Sequence, residues 1–246
     1  MIVRDAGDAW QIVLQTDHAD LSVQFAHALA EPPPGHRSLR IASERHDDGW
    51  AVWEQAPLID PDTREPVTFL DVQVPVRLAF YRAGIAAITD EDPYAGLLVS
   101  MHGAGIYRER YGTHPGQKLT HEDAVRDQVD AFVAEQEASW PARIEALAVD
   151  EEERWHNYRL LQLFDRLSLH FCMRDVEAGE SGEIDVWRLE PTGSWRIRME
   201  PFPFAKSPSR FTLLRRTLRK RDWTLGEFRQ ELFGTEPQLV ELAIER

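Results

Sequence analysis

Leu160-Leu-Gln-Leu-Phe-Asp-Arg-Leu-Ser-Leu-His-Phe-Cys-Met-Arg174 is the stretch whose reading decides the fold. Its apolar residues continue a spacing begun at Trp155 and Tyr158 and carried through Leu161, Phe164, Leu167 and Phe171. That spacing predicts a helix over 150–174, the longest in the chain. One residue sits against the pattern. On a helix Asp165 shares a face with Leu161, Leu169 and Cys172. A bare carboxylate among apolar neighbours costs several kcal/mol unless it is paired or bound. A cation, a metal or helix N–H groups would satisfy it; the plainer alternative is a salt bridge to Arg166 or to an arginine of the next turn.

The remaining chain sorts around this helix. Met1 to Arg4 and Trp10 to Leu14 are β-branched runs joined by Asp5-Ala-Gly-Asp8, which reads as a β-hairpin. Thr16 or Asp17 caps a helix over 18–30, and a second helix is expected over 38–55, with Gly49 costing it about 1 kcal/mol relative to alanine. Helices follow over 71–87, from Asp90-Glu-Asp-Pro93 onward, and over 121–138, the last resuming after a break at Pro141. Residues 108–120 read as a loop. Beyond Gly179 the period changes to two, at Ile184 and Val186, then Trp195, Ile197 and Met199, then Phe211 and Leu213, and finally Leu242 and Ile244. This predicts an antiparallel sheet. The expected class is mainly α with a smaller antiparallel β-sheet and an N-terminal hairpin, α+β overall. The expected division is a helical unit over 1–178 and a small β subdomain over 179–246 packed on it.

Composition narrows the function classes. The 246 residues carry a formal charge of −14 and are 43% apolar. A polyanion binder needs a basic surplus, so nucleic acid is not the expected partner. One basic cluster, Arg215 to Arg221, reads first as a solvated strand end. No apolar run approaches the ~20 residues of a membrane helix, and the start carries no signal-peptide pattern, so a soluble cytoplasmic protein is expected. The single cysteine, Cys172, lies in an apolar run and reads as a buried, inert thiol.

Four of the nine histidines, His18, His46, His102 and His170, lie in or near helical apolar segments, together with Asp47 and Asp165. Each has a plain reading. His18 fits an exposed helix end, His102 fits a core histidine bonded to a carbonyl, and His46-Asp47 is a common dipeptide. Gly103 and Gly105 after His102 let another chain or a ligand approach closely. Imidazole and carboxylate are the donors that transition-metal dications prefer where thiolates are absent. Several of them on successive helices would be costly without a metal.

The order of these residues resembles the HD-domain superfamily, whose pattern is H…HD…D. Glu44-Arg-His-Asp-Asp-Gly-Trp50 is similar to that family's HDxG helix, Leu163-Phe-Asp-Arg-Leu-Ser168 to its late ADxLS-type helix, and His18-Ala-Asp-Leu-Ser-Val-Gln-Phe-Ala26 to its opening helix. The likeness covers about residues 16–175. It implies an HD-like helical bundle with His18, His46, Asp47 and Asp165 as metal ligands, and His102 as the extra histidine of bimetallic members. The metal would be Mn, Fe or Zn, one ion or two. The chain as a whole also resembles a bacterial family of unknown function, domain of unknown function 3891, through Gln15-Thr-Asp-His18, His46-Asp-Asp-Gly-Trp50 and Asp165-Arg-Leu-Ser-Leu169.

Three functions are compatible with this pattern. The first is a metal-dependent hydrolase of a phosphorylated small molecule, with Arg45 or Arg166 on phosphate and Asp48 as general base. The lysine that often follows HDxG is replaced here by Trp50, Ala51 and Val52, and no basic residues beyond Arg45 and Arg166 stand near the motif. The second is an HD-like di-iron oxygenase with His102 completing a second metal. The third is a non-catalytic protein with a vestigial site, binding a partner through Phe202, Phe204 and the Arg215–Arg221 cluster.

Overall fold

A computed structural model describes residues 1–114 and 123–246. The end of the expected 108–120 loop and the helix start at His121 lie outside the described residues. The long helix of the sequence reading is present: α7 runs Glu151–Met173, with the Asp150 side chain accepting from the Glu153 N–H as its N-cap. α1 (Gln15–Ala28), α2 (His36–Arg45) and α5 (Pro93–Gly105) pack on α7, and α4 (Val74–Glu91) and α6 (Asp123–Leu147) pack on α5. α5 is buried from Tyr94 to Gly105, as a helix apolar on all sides requires. Gly105 is needed for contact with α7 rather than with a ligand: a Cβ there would fall 2.2 Å from the Tyr158 hydroxyl.

Three helical expectations change. α1 begins at Gln15, so Thr16 and Asp17 lie inside its first turn rather than capping it. α6 passes through Pro141 without a break. The ring removes one N–H, but Phe132, Val133 and Trp140 are buried along the helix, and the Trp140 indole donates to Ser100 Oγ at 2.9 Å. Tertiary packing on the preceding turns therefore holds the helix together. The expected 38–55 helix is instead three pieces. α2 stops at Arg45, a 3-10 turn spans Asp48–Trp50, and the short α3 spans Ala51–Glu54. The break falls on His46-Asp47, where Asp47 has φ −112° and ψ 14°. Gly49 explains the crowding at this point. A Cβ on it would lie 2.1 Å from the Phe80 carbonyl oxygen, so the turn rests directly on the α4 backbone.

The strands are β1 (Ile2–Asp5), β2 (Ala9–Val13), β3 (Gly182–Ile184), β4 (Trp187–Gly193), β5 (Arg196–Glu200), β6 (Ser209–Arg219) and β7 (Gln238–Glu245). They form one sheet in the order β1-β2-β6-β7-β5-β4-β3. Two expectations are corrected here. β7 lies parallel to β5, so the sheet is mixed rather than antiparallel. The N-terminal hairpin is also part of it, because β6 is long enough to pair with β7 through Ser209–Arg215 and with β2 through Arg216–Arg219. The molecule is thus α+β, with a C-terminal sheet that takes in the N-terminal strands. Phe25 and Phe164 from helices share one hydrophobic core with Ile197, Phe211 and Leu242 from strands. The helix α8 (Leu225–Gly234) was not anticipated; it buries Phe228 and Leu232 over Trp223 and Leu218.

Phe204, expected to be exposed, is 1% exposed and packs its ring on Phe25 and Phe211. Phe202 is half-buried, with the Arg246 guanidinium over its ring. The basic cluster is largely neutralised, with Arg215 on Glu177, Arg216 near Asp17, Lys220 on Asp5 and Arg221 on Glu231. Cys172 is buried, which pushes its thiol pKa up, in keeping with an inert thiol. Among the described residues no helix is long and apolar enough to cross a membrane.

Candidate metal centre

Three helices and one helix break bring the predicted residues together. His18 comes from α1, Asp165 from α7 and His102 from α5, and the break after α2 supplies both His46 and Asp47. All five are buried. Had α2 continued, His46 and Asp47 would point about 100° apart; the non-helical backbone at Asp47 turns both inward. The residues fall into two groups able to hold an ion, His18/His46/Asp165 and His46/Asp47/His102.

Four donor atoms face one another. His18 Nε2 lies 3.1 Å from His46 Nε2, 3.3 Å from Asp47 Oδ2 and 3.5 Å from Asp165 Oδ1. His46 Nε2 lies 3.8 Å from Asp47 Oδ2 and 3.5 Å from Asp165 Oδ1. A tetrahedral ion with bonds of ~2.1 Å sets its ligand atoms ~3.4 Å apart. The five separations, 3.1–3.8 Å, lie around that value.

The outer partners set the ring protons for the same purpose. His46 Nδ1 donates to the Ser43 carbonyl at 2.9 Å, which leaves Nε2 with its lone pair free in the neutral ring. The Ser168 hydroxyl donates to the Asp165 carbonyl at 2.7 Å, so His18 Nδ1 donates to Ser168 Oγ at 2.6 Å. His18 Nε2 is thereby aimed at the centre in the same state. His102 differs. Its Nδ1 accepts from the Gln162 amide nitrogen at 3.0 Å, so the proton of the neutral ring sits on Nε2. The Gln162 amide is oriented by Arg110, whose Nη1 donates to Gln162 Oε1 at 2.5 Å.

Two lone pairs facing across 3.1 Å require a cation or a proton between them. Burial opposes charge on His46, but the Asp47 and Asp165 carboxylates outweigh it and raise its pKa to about 9. Burial also opposes charge on Asp47, yet His46 and His18 hold that carboxyl below its usual value. For Asp165 the burial cost is overcome first by Arg110, which holds it well below the ordinary carboxylate range. Burial pushes His102 down to about 3, so it is neutral.

Arg110 is the residue that the sequence reading missed. It is the partner of Asp165, at 2.6 Å from Nη1 to Oδ2, in place of Arg166 or a next-turn arginine. It stands in a 3-10 turn (Glu109–Gly112) in which Glu109, Arg110 and Tyr111 all have φ near +50°. Each left-handed non-glycine residue costs on the order of 1–3 kcal/mol and persists only where its surroundings over-determine it. Tyr111 supplies that support. Its ring packs edge-on against Trp140, Trp155 and Tyr158, and its hydroxyl donates to Glu137 at 2.8 Å.

Arg110 also lines a cavity of about 640 Å³, walled further by Arg77, Arg166, His170, Glu183 and Arg174, the last paired with Glu180, which lines the cavity too. Arg77 Nε and His170 Nε2 are buried and have no hydrogen-bond partner among the described residues. Arg166 is held to backbone by donating to the Thr113 and Glu183 carbonyls at 2.9 and 3.2 Å. The other two residues expected to act in chemistry lie elsewhere. Arg45 donates to Asp48 at 2.6 Å and also pairs with Glu91; both are partly exposed, and neither lines the cavity.

No curated protein and no solved structure matches the chain. A family model described as "Protein of unknown function (DUF3891)" matches residues 1–220. That span contains the four facing donors, Arg110 and every cavity residue named above, and it ends after β6, ahead of α8 and β7. The chain therefore belongs to the DUF3891 family.

Proposed function

We propose that this protein is a metal-dependent hydrolase of a small phosphate ester, with a site of the HD type. One observation carries the reading: the buried four-donor seat and an arginine-lined cavity share Asp165 through its contact with Arg110. From the sequence, the basic residues needed to grip phosphate were not evident. In the folded chain Arg77 of α4, Arg110 of the turn after α5 and Arg166 of α7 line one cavity, and the reading assigns the grip to them.

His18, His46, Asp47 and Asp165 would hold the ion, with tautomers already set by Ser168 and Ser43. A divalent cation held there would supply Lewis acidity. The chain's own residues do the rest. Arg110 is fixed by Gln162 and Asp165, so its planar fork is pre-oriented for an oxyanion. Arg77 adds a second guanidinium to the cavity wall. His170, which burial keeps neutral by lowering its pKa to about 4, offers a ring nitrogen to the organic part of the substrate. His46, Asp47 and His102 form the second group able to hold an ion. His102 Nδ1 is engaged by Gln162, so the reading rests on one ion in the four-donor seat.

Mn²⁺-loaded protein assayed against p-nitrophenyl phosphate and a panel of phosphate mono- and diesters tests this. Hydrolysis that chelation abolishes, that Mn²⁺ restores and that Asp165→Asn lacks is the expected result. Turnover that survives chelation, or no turnover of any ester by loaded protein, overturns it.

A further inference from the structure

Asp165 divides its two oxygens between two environments. Oδ1 stands 3.5 Å from both histidine Nε2 atoms, inside the ion seat. Oδ2 accepts from Arg110 Nη1 at 2.6 Å. Arg110 reaches both Gln162 and Asp165 through that one nitrogen, while its side chain is 15% exposed and lines the cavity. Among the described residues its Nε and Nη2 have no acceptor, which leaves them for whatever enters the cavity. The left-handed turn and its aromatic clamp hold the side chain in this bridging position.

We propose that Arg110 couples the ion seat to the cavity, so that a divalent cation held by His18, His46, Asp47 and Asp165 and a phosphate-class anion in the cavity strengthen each other's binding through Asp165. The inference rests on the metal reading above but not on hydrolysis. The physical reason is charge. A fixed guanidinium beside Asp165 repels a dication in the seat, and an anion seated on Arg110 offsets that repulsion. In the other direction, a cation on Oδ1 draws the carboxylate's charge away from Arg110 and leaves its free donors more acidic toward the anion. Thermodynamic linkage makes the two effects equal in size. The same four-donor seat without Arg110 would still attract phosphate directly, so the coupling falls in its absence but does not vanish.

Calorimetric titration of the full chain with Mn²⁺ and with inorganic phosphate, each in the absence and presence of the other, reads the coupling. Wild-type protein is expected to bind phosphate at least about fivefold tighter when Mn²⁺ is present, within the roughly 5–150-fold range of coupled sites. Arg110→Gln is expected to bind Mn²⁺ alone about threefold tighter or more, because a repelling charge is gone, and to lose a comparable factor of the coupling. The tightening is the decisive sign, since a merely structural partner of Asp165 would leave Mn²⁺ binding unchanged or weaker when removed. A folded Arg110→Gln variant, by circular dichroism, with wild-type coupling or with Mn²⁺ affinity at or below wild type overturns the proposal. If that variant does not fold, Arg110→Lys carries the test: it keeps the charge beside Asp165, so coupling within about threefold of wild type's is expected, and a folded lysine variant that shows no coupling overturns the proposal. A wild-type chain that binds no Mn²⁺ overturns the metal reading itself. One that binds both ligands cooperatively yet hydrolyses no ester overturns only the hydrolase.

Discussion

Raising the pH of the metal-free protein from 6.5 to 9 should destabilise it, and the seat geometry gives the size. His18 and His46 face each other through Nε2 at 3.1 Å, with two carboxylate oxygens within 3.8 Å. Without an ion, a proton between the rings takes its place. The His46 pKa stands at about 9, against 6.5 for the free side chain. A group whose folded-state pKa is raised contributes stability that is fully present below its unfolded pKa and is lost as pH rises through the folded one. The window is therefore pH 6.5 to 9, and stability falls across it. A shift of this size is worth on the order of 3 kcal/mol for a fully buried ring. In a chain of this length that lowers Tm by roughly 6–12 °C. Thermal unfolding in EDTA, followed by circular dichroism, measures it, with His46→Gln as the control in which the slope disappears. Metal-loaded protein should show the opposite dependence near neutrality, because the ion competes with that proton and binds more tightly as pH rises. A metal-free Tm that stays flat or climbs between pH 6.5 and 9 would refute the facing-lone-pair account.

Other consequences are simpler. Gly49→Ala should cost about 3 kcal/mol or more by chemical denaturation, because the new methyl meets the Phe80 carbonyl, a backbone atom that cannot step aside. Phe204→Ala should cost about 3–5 kcal/mol, as expected of a core ring packed on Phe25 and Phe211; a change under 1 kcal/mol would restore it to the surface. Asp48→Asn should leave Mn²⁺ affinity within about threefold of wild type, since that carboxylate is held by Arg45 outside the seat; a larger loss would bring Asp48 into it.

The legible parts of this protein were those encoded by local periodicity. α7 announces itself by its apolar spacing, and Asp165 by its disagreement with that spacing. His18, His46 and Asp47 were legible as an ordered set. What escaped was set by contacts between distant segments. The helix break at His46-Asp47 depends on Gly49 lying on the α4 backbone, which the sequence shows only as a glycine within a helical pattern. Arg110 belongs to a loop, and what fixes it is a ring of aromatics from α6 and α7. The parallel pairing of β5 with β7 depends on β7 entering the sheet between β6 and β5. α8 was a different kind of miss, because its signal was present. Thr224 and Glu227 form a reciprocal capping box, an S/T-x-x-E pattern readable from sequence.

Metal stoichiometry tests the central claim most directly. Wild-type chain purified without chelators and titrated with Mn²⁺ or Zn²⁺ should bind one ion in the four-donor seat, and Asp165→Asn and His46→Ala should each weaken that binding about 100-fold or more. A wild-type chain that takes up no divalent ion, or variants that hold it as tightly as wild type, would contradict the assignment.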